Sequence, residues 1–173
     1  MNRQRIAQQL YRSVYGLLML LMLSSCGFKL SGYNQPLALS DKTFAVSSLP
    51  QLNAIKQQVI EAYQRHDRRL VLASEADVLI ELTEQSLTRR AITRNALGRA
   101  TEFDVKLTVT FAVTQVQGDE QATVEILTVA AQQAYYYDNQ QLLAAEHRER
   151  EIVAELRRKV AEQLVYAVED RLQ

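Results

Sequence analysis

Cysteine is almost missing from this chain of 173 residues. Its one thiol, Cys26, has no partner for an intramolecular disulfide, so the fold must be held by its hydrophobic core. Proline is equally sparse, with only Pro36 and Pro50, and neither low-complexity tracts nor fixed-period repeats occur. Histidine is limited to His66 and His147. No Gly-x-Ser-x-Gly, His-Glu-x-x-His or glycine-rich phosphate loop accompanies them, so the usual marks of a hydrolase, a zinc protease or a nucleotide-binding enzyme are lacking. His147 and Glu151 share a helix face at i,i+4 and offer two metal ligands, but two side chains without a third make no site. The expectation is a protein without catalysis, metal or dissociable cofactor. A long apolar run is lacking too. The ten residues from Val14 to Leu23 fall short of the ~20 that a membrane-crossing helix needs.

That short run has the setting of an export signal. Arg3, Arg5 and Arg12 make a basic start, and no acidic residue precedes Cys26. Leu23-Ser24-Ser25-Cys26-Gly27 then resembles the lipobox of bacterial lipoproteins. The resemblance implies that residues 1–25 are removed as a signal peptide, that the Cys26 thiol takes an S-diacylglycerol, and that the freed amine is N-acylated, for instance with palmitate. Each buried methylene contributes ~0.8 kcal/mol and a single chain holds only marginally, so two or three chains make a stable anchor. Acylation also accounts for an unpaired thiol in an oxidising compartment. Asp directly after the acylated cysteine tends to retain such proteins in the inner membrane. Gly27 lacks that mark, which implies the inner leaflet of the outer membrane, on the periplasmic side.

Without the signal, 173 − 25 = 148 residues remain, enough for one domain with a sizeable core. The balance is then 17 basic against 20 acidic side chains, a formal −3, which argues against bulk attraction to nucleic acid. Any anion site must be a local cluster. Residues 26–41 read as a lipidated tether, with Gly32, Asn34 and Pro36 marking turns, and residues 42–173 as a single domain.

Within that domain, Thr43 to Ser47 reads as a short strand, and Ser48-Leu49-Pro50-Gln51 as a helix start with Ser48 as its cap. Leu52, Ile55, Val59 and Tyr63 recur at helical spacing, predicting a first helix that ends near Arg65. Val78, Ile80 and Leu82 alternate as a second strand. The clearest strand is the third, with Phe103, Val105, Leu107, Val109, Phe111 and Val113 on one face and Asp104, Lys106, Thr108, Thr110 and Thr114 on the other. Gln117-Gly118-Asp119-Glu120 turns the chain back into a fourth strand, about 121–137. From about 141 to 172 no Gly or Pro interrupts a helix whose apolar stripe is Ile152, Leu156, Val160, Leu164 and Ala167 or Val168. The order βαβββα predicts an α+β sandwich: a four-stranded, mostly antiparallel sheet packed against two helices, its other face carrying threonines, charges and tyrosines.

Two features outside the core could carry function. Arg89, Arg90, Arg94 and Arg99 surround Asn95-Ala96-Leu97-Gly98 between strands two and three. Guanidiniums beside apolar side chains suit a ligand with phosphates next to acyl chains, because Arg pairs bidentately with phosphate. A solvated loop kept soluble by its charges is the plainer reading. Tyr135, Tyr136 and Tyr137 end strand four and alternate across it, so at least one faces away from the core, where an aromatic suits a partner interface; core or edge packing is the alternative.

Taken together these pieces resemble the LPS-assembly lipoprotein family, LptE. The matching residues are Cys26-Gly27-Phe28-Lys29-Leu30, Arg94-Asn95, Ala100-Thr101-Glu102-Phe103, the aromatic segment ending in Asp138-Asn139, and Ala161-Glu162-Gln163-Leu164. The resemblance implies a plug in the lumen of the LptD β-barrel that is required for assembly of that barrel and for passage of lipopolysaccharide to the cell surface. It further implies direct lipopolysaccharide binding through basic residues. Arg94 holds one such position, while a second falls on Glu146, beside His147 and Arg148. A free outer-membrane lipoprotein that carries a lipid, or a scaffold for another envelope complex, are the rival readings. A lipid carrier should have an internal apolar cavity and a plug a filled core.

Overall fold

The computed structural model describes residues 41–116, 123–138 and 141–172. The lipobox, the tether, the turn at 117–120 and Asn139 lie outside these residues. The chain runs β1 (Phe44–Ser48), α1 (Asn53–Arg65), β2 (Val78–Arg94), β3 (Ala100–Gln115), β4 (Thr123–Tyr136) and α2 (Leu142–Arg171). The strands form one sheet in the order β1-β2-β3-β4. β1 and β2 are parallel and joined through α1, and the other two pairings are antiparallel. This is the expected α+β sandwich, with both helices on one face. Among the described residues no helix is long and apolar enough to cross a membrane.

The period-two pattern of β3 explains the core. Val105, Leu107, Val109, Phe111 and Val113 point under the helices and are buried with Val78, Ile80 and Leu82 of β2. α2 supplies Ile152, Leu156, Val160, Leu164 and Val168, the predicted stripe, and α1 supplies Ile55, Val59 and Tyr63. α1 lies over β1, and α2 over β3 and β4. The opposite face carries Thr108, Thr110, Thr128 and Lys106 as the alternation predicts. It is less polar than the pattern suggests at β4, where Ile126 is 72% exposed.

Two local expectations need correction. Ser48 does not cap α1: it ends β1, a 3₁₀ turn over Pro50–Leu52 intervenes, and no side chain caps either segment. The Ser48 hydroxyl is instead buried without a hydrogen-bond partner. Pro50 does sit in the first turn, where its missing N–H costs nothing. β2, read from the sequence as little more than Val78, Ile80 and Leu82, runs on to Arg94. Its upper half is too polar to be seen as a strand alone. A bulge between Leu82 and Glu84 shifts its phase, and pairing with β3 then holds it extended from Glu84↔Thr110 to Arg94↔Ala100.

Candidate functional site

The β2–β3 hairpin tip is built by a few local bonds. The Gly98 N–H donates to the Asn95 carbonyl at 2.9 Å, and Gly98 takes φ +74°, a conformation that glycine adopts without a Cβ clash. The Asn95 side-chain oxygen accepts from the Leu97 and Arg99 N–H groups, both at 3.0 Å, which fixes the loop from within. Arg94 Nη1 donates to the Gly98 carbonyl at 2.9 Å, so its guanidinium is held at the tip. Arg99 stands on the other side of the loop, and Leu97 between them is 78% exposed. Neither arginine has a carboxylate within ion-pair distance among the described residues.

The four arginines of the sequence cluster do not act together. Arg89 lies on the helix side of the sheet, its Cζ 3.5 Å from the centre of the Phe103 ring. Its Nε donates to the Tyr135 hydroxyl at 3.1 Å and lies 3.2 Å from Glu149 of α2. Arg90 lies on the opposite face, 3.9 Å from Asp104. Only Arg94 and Arg99 remain at the tip. The split follows from strand geometry, since neighbours on a strand point to opposite faces.

The tyrosines divide the same way. Tyr135 is buried and donates to Glu149 at 2.7 Å; burial, then this bond to a carboxylate, raises its phenol above the ordinary value. Tyr136 points away and is 85% exposed, as alternation requires of one of the three. Tyr137 packs its edge against Phe103, ring centres 5.2 Å apart. Arg89, Phe103, Tyr135, Tyr137 and Glu149 thus clamp the upper hairpin and the end of β4 to α2. Glu149 was not singled out from the sequence. Its signal was there: it lies three residues before Ile152 and seven before Leu156, on the buried stripe. Glu146 lies one turn earlier, exposed, while His147 and Arg148 both reach Glu151, at 3.4 and 3.6 Å. Among the described residues no group of three potential metal ligands converges.

Solved structures share this architecture. Rare lipoprotein B from Shewanella oneidensis superposes with a TM-score of 0.64 at 20% identity, over 75% of this chain and 95% of its own. Lipoprotein B from Nitrosomonas europaea gives 0.61 at 18%, over 83% and 90%. A minor lipoprotein from Acinetobacter baumannii gives 0.52 at 22%, over 77% and 91%. At such identities the likeness speaks for the fold. No curated protein sequence matches at a significant level. The model of the family described as "LptE: Lipopolysaccharide-assembly" matches residues 42–168, nearly all of the folded domain, and the chain therefore belongs to the LptE family of lipopolysaccharide-assembly lipoproteins.

Proposed function

We propose that this protein is an outer-membrane lipoprotein, acylated on Cys26, that plugs and helps assemble the LptD β-barrel and takes part in moving lipopolysaccharide to the cell surface, touching it through Arg94 and Arg99. The observation that carries the contact is the hairpin tip. Two guanidiniums without carboxylate partners flank an exposed Leu97 on a loop stiffened by Asn95 and Gly98. Phosphates beside acyl chains are the complementary chemistry. Arg89 is excluded from this role, because Phe103, Tyr135 and Glu149 occupy it. Tyr136 and Ile126 on the uncovered sheet face offer a surface toward a barrel wall.

Membership of the family supports the plug, as does a core filled by both helices and the sheet. Two experiments separate the halves of the reading. The double variant Arg94→Glu, Arg99→Glu should bind lipopolysaccharide at least ~30-fold more weakly, about 2 kcal/mol, because one charge-assisted contact is worth 1.5–3 kcal/mol. Unchanged binding would remove the direct contact. Affinity purification of the tagged lipoprotein from solubilised outer membrane should recover a large barrel protein, and recovering none would remove the plug.

A further inference from the structure

β4 ends the sheet with an open edge. No strand lies beyond it among the described residues, although it is 14 residues long. A bare strand edge is a template for pairing, and proteins commonly guard it with Lys, Pro, a bulge, short length or a covering segment. The opposite edge is guarded in that way. β1 is only 5 residues long, and its Phe44 N–H donates to the Arg69 carbonyl while the Phe44 carbonyl accepts from the Val71 N–H. Upper β2, beyond the reach of β1, carries Arg90 and Arg94. β4 has none of these guards: it contains no Pro, Gly, Lys or Arg, and its pairing with β3 runs from Gln115↔Thr123 to Glu102↔Tyr136 without a shift. Its one charge, Glu125, is answered by Arg171 of α2.

The hydrogen-bonding phase of the edge follows from one bond. The Tyr137 N–H donates to the Thr101 carbonyl, and the register of β3 with β4 continues from that pair. Such pairs alternate along an antiparallel ladder. The odd-numbered residues of β4 therefore exchange bonds with β3, and the even-numbered ones, from Val124 to Tyr136, point their N–H and C=O groups outward. The same even-numbered residues put their side chains on the face away from the helices, where all are exposed. Val124 and Ile126 stand at one end of this row and Tyr136 at the other, with small or uncharged side chains between them.

That row is complementary to itself when reversed. A second β4 laid antiparallel about a two-fold axis at Ala130 sets Val124 opposite Tyr136, Ile126 opposite Ala134 and Thr128 opposite Gln132, each pair occurring twice. Every outward N–H and C=O then meets a partner, and an apolar side chain meets an aromatic one at both ends. No charge faces a like charge, since Glu125 falls opposite Tyr135. The helix layers fit as well. α2 lies over β3 and β4, and strands are ~4.8 Å apart, so the two α2 helices would run about 10 Å from each other, a normal packing distance. We propose that this protein, free of other chains, pairs with a second copy of itself through the β4 edge, in one continuous sheet with its two-fold axis at Ala130. The pairing goes beyond the function proposed above and does not depend on it. The copies run head to tail, and residues 26–40 extend to at most ~50 Å, about the length of β4, so the two proposed anchors at Cys26 still reach one leaflet. An extended segment of a different protein could take the same hydrogen bonds, but it would bring neither the reversed row nor a second helix layer.

The test uses the full mature lipoprotein in detergent, with light scattering to weigh the protein part of each particle. The wild type should hold two copies. Ala130→Lys sets like charges on the axis, and Ala130→Pro removes an N–H that points outward and so breaks no bond to β3; each should raise the dissociation constant at least ~30-fold and leave single copies. Thermal melting shows that each variant is folded, and the Lys variant decides the outcome if the Pro variant is not. Added cysteines fix the register, with the linked residues identified by mass spectrometry. Ala130→Cys should form a disulfide with its mate on mild oxidation, because directly opposed, hydrogen-bonded residues stand ~5.5 Å apart. Thr128→Cys and Gln132→Cys, each about 13 Å from its own copy, should stay unlinked alone and link when differently tagged variants are mixed. A wild type that stays single throughout, a Lys variant that still pairs, or a Thr128→Cys variant that links to itself would each overturn the pairing. In whole outer membranes, Ala130→Cys linked to a different protein and never to a second copy would assign the edge to that protein and overturn the proposal.

Discussion

Gly98 holds the hairpin tip at φ +74° with nothing within 4 Å of where a Cβ would stand. Gly98→Ala therefore meets strain but no collision, and should destabilise the domain by about 1 kcal/mol, read as a lower urea midpoint with an unchanged slope. Arg89 is the opposite case, a charged residue engaged on every side. Arg89→Lys keeps the charge but loses the flat stack on Phe103 and the directed bond to Tyr135, so a loss of about 1 kcal/mol is expected by the same measurement. From the sequence Arg89 and Arg94 look alike. The bulge after Leu82 decides which face Arg89 occupies, and pairing with β3, not any local signal, creates the bulge.

Elements were legible where their pattern is local. β3 and α2 announce themselves by unbroken periods of 2 and 3.6, and the structure follows both closely. Upper β2 was not legible, since nothing in Glu84-Gln85-Ser86 prefers a strand until β3 lies beside it. The contact between α1 and α2 was equally hidden. Arg65 Nη2 and His66 Nε2, at the end of α1, both lie 2.7 Å from the Glu162 carboxylate of α2, at a sequence distance no pattern reports. Burial pushes the Glu162 carboxyl up, but the bonds from His66 and Arg65 and their charges outweigh it, so the net shift is downward. A carboxylate with a lowered folded value stabilises fully above its unfolded value near 4.5, and loses that contribution as pH falls through the lower folded one. Glu162→Gln should accordingly flatten the fall of stability on acidification below about pH 4.5, seen as urea midpoints that converge with the wild type in acid and diverge at neutral pH.

At the scale of the molecule, the buried ion pair and the proposed lipid contact sit at opposite ends. Tyr137 bonds to Thr101 beside the hairpin, whereas Arg171 at the end of α2 meets Glu125 at the start of β4, 3.1 Å away, so α2 runs back along β4 away from the tip. The far end is closed by an ion pair that sequence reasoning could not find. Arg68, just after α1, places its Nε 2.9 Å from the Glu169 carboxylate, and both side chains are almost wholly buried. Buried Tyr63 is beside them, its phenol raised by burial and by the charge of Glu169. Removing one charge of such a pair strands the other in low dielectric, so Glu169→Ala should cost about 3–5 kcal/mol, a large part of a small domain's stability. The companion change Arg68→Met should recover much of that loss, because a buried pair replaced by apolar side chains leaves no orphaned charge. Neither change lies near Arg94 or Arg99, so lipid binding per folded molecule should stay at the wild-type level. The charge reversals at the tip should do the reverse, lowering binding and leaving the melting temperature nearly unmoved, because Arg94 and Arg99 are exposed. Urea unfolding and lipid titration on the same four proteins would check this separation. If Glu169→Ala altered binding by the folded fraction, the two ends would be energetically linked, and the rigid hairpin on which the proposed lipid contact depends would have to be traced back to the ion pair.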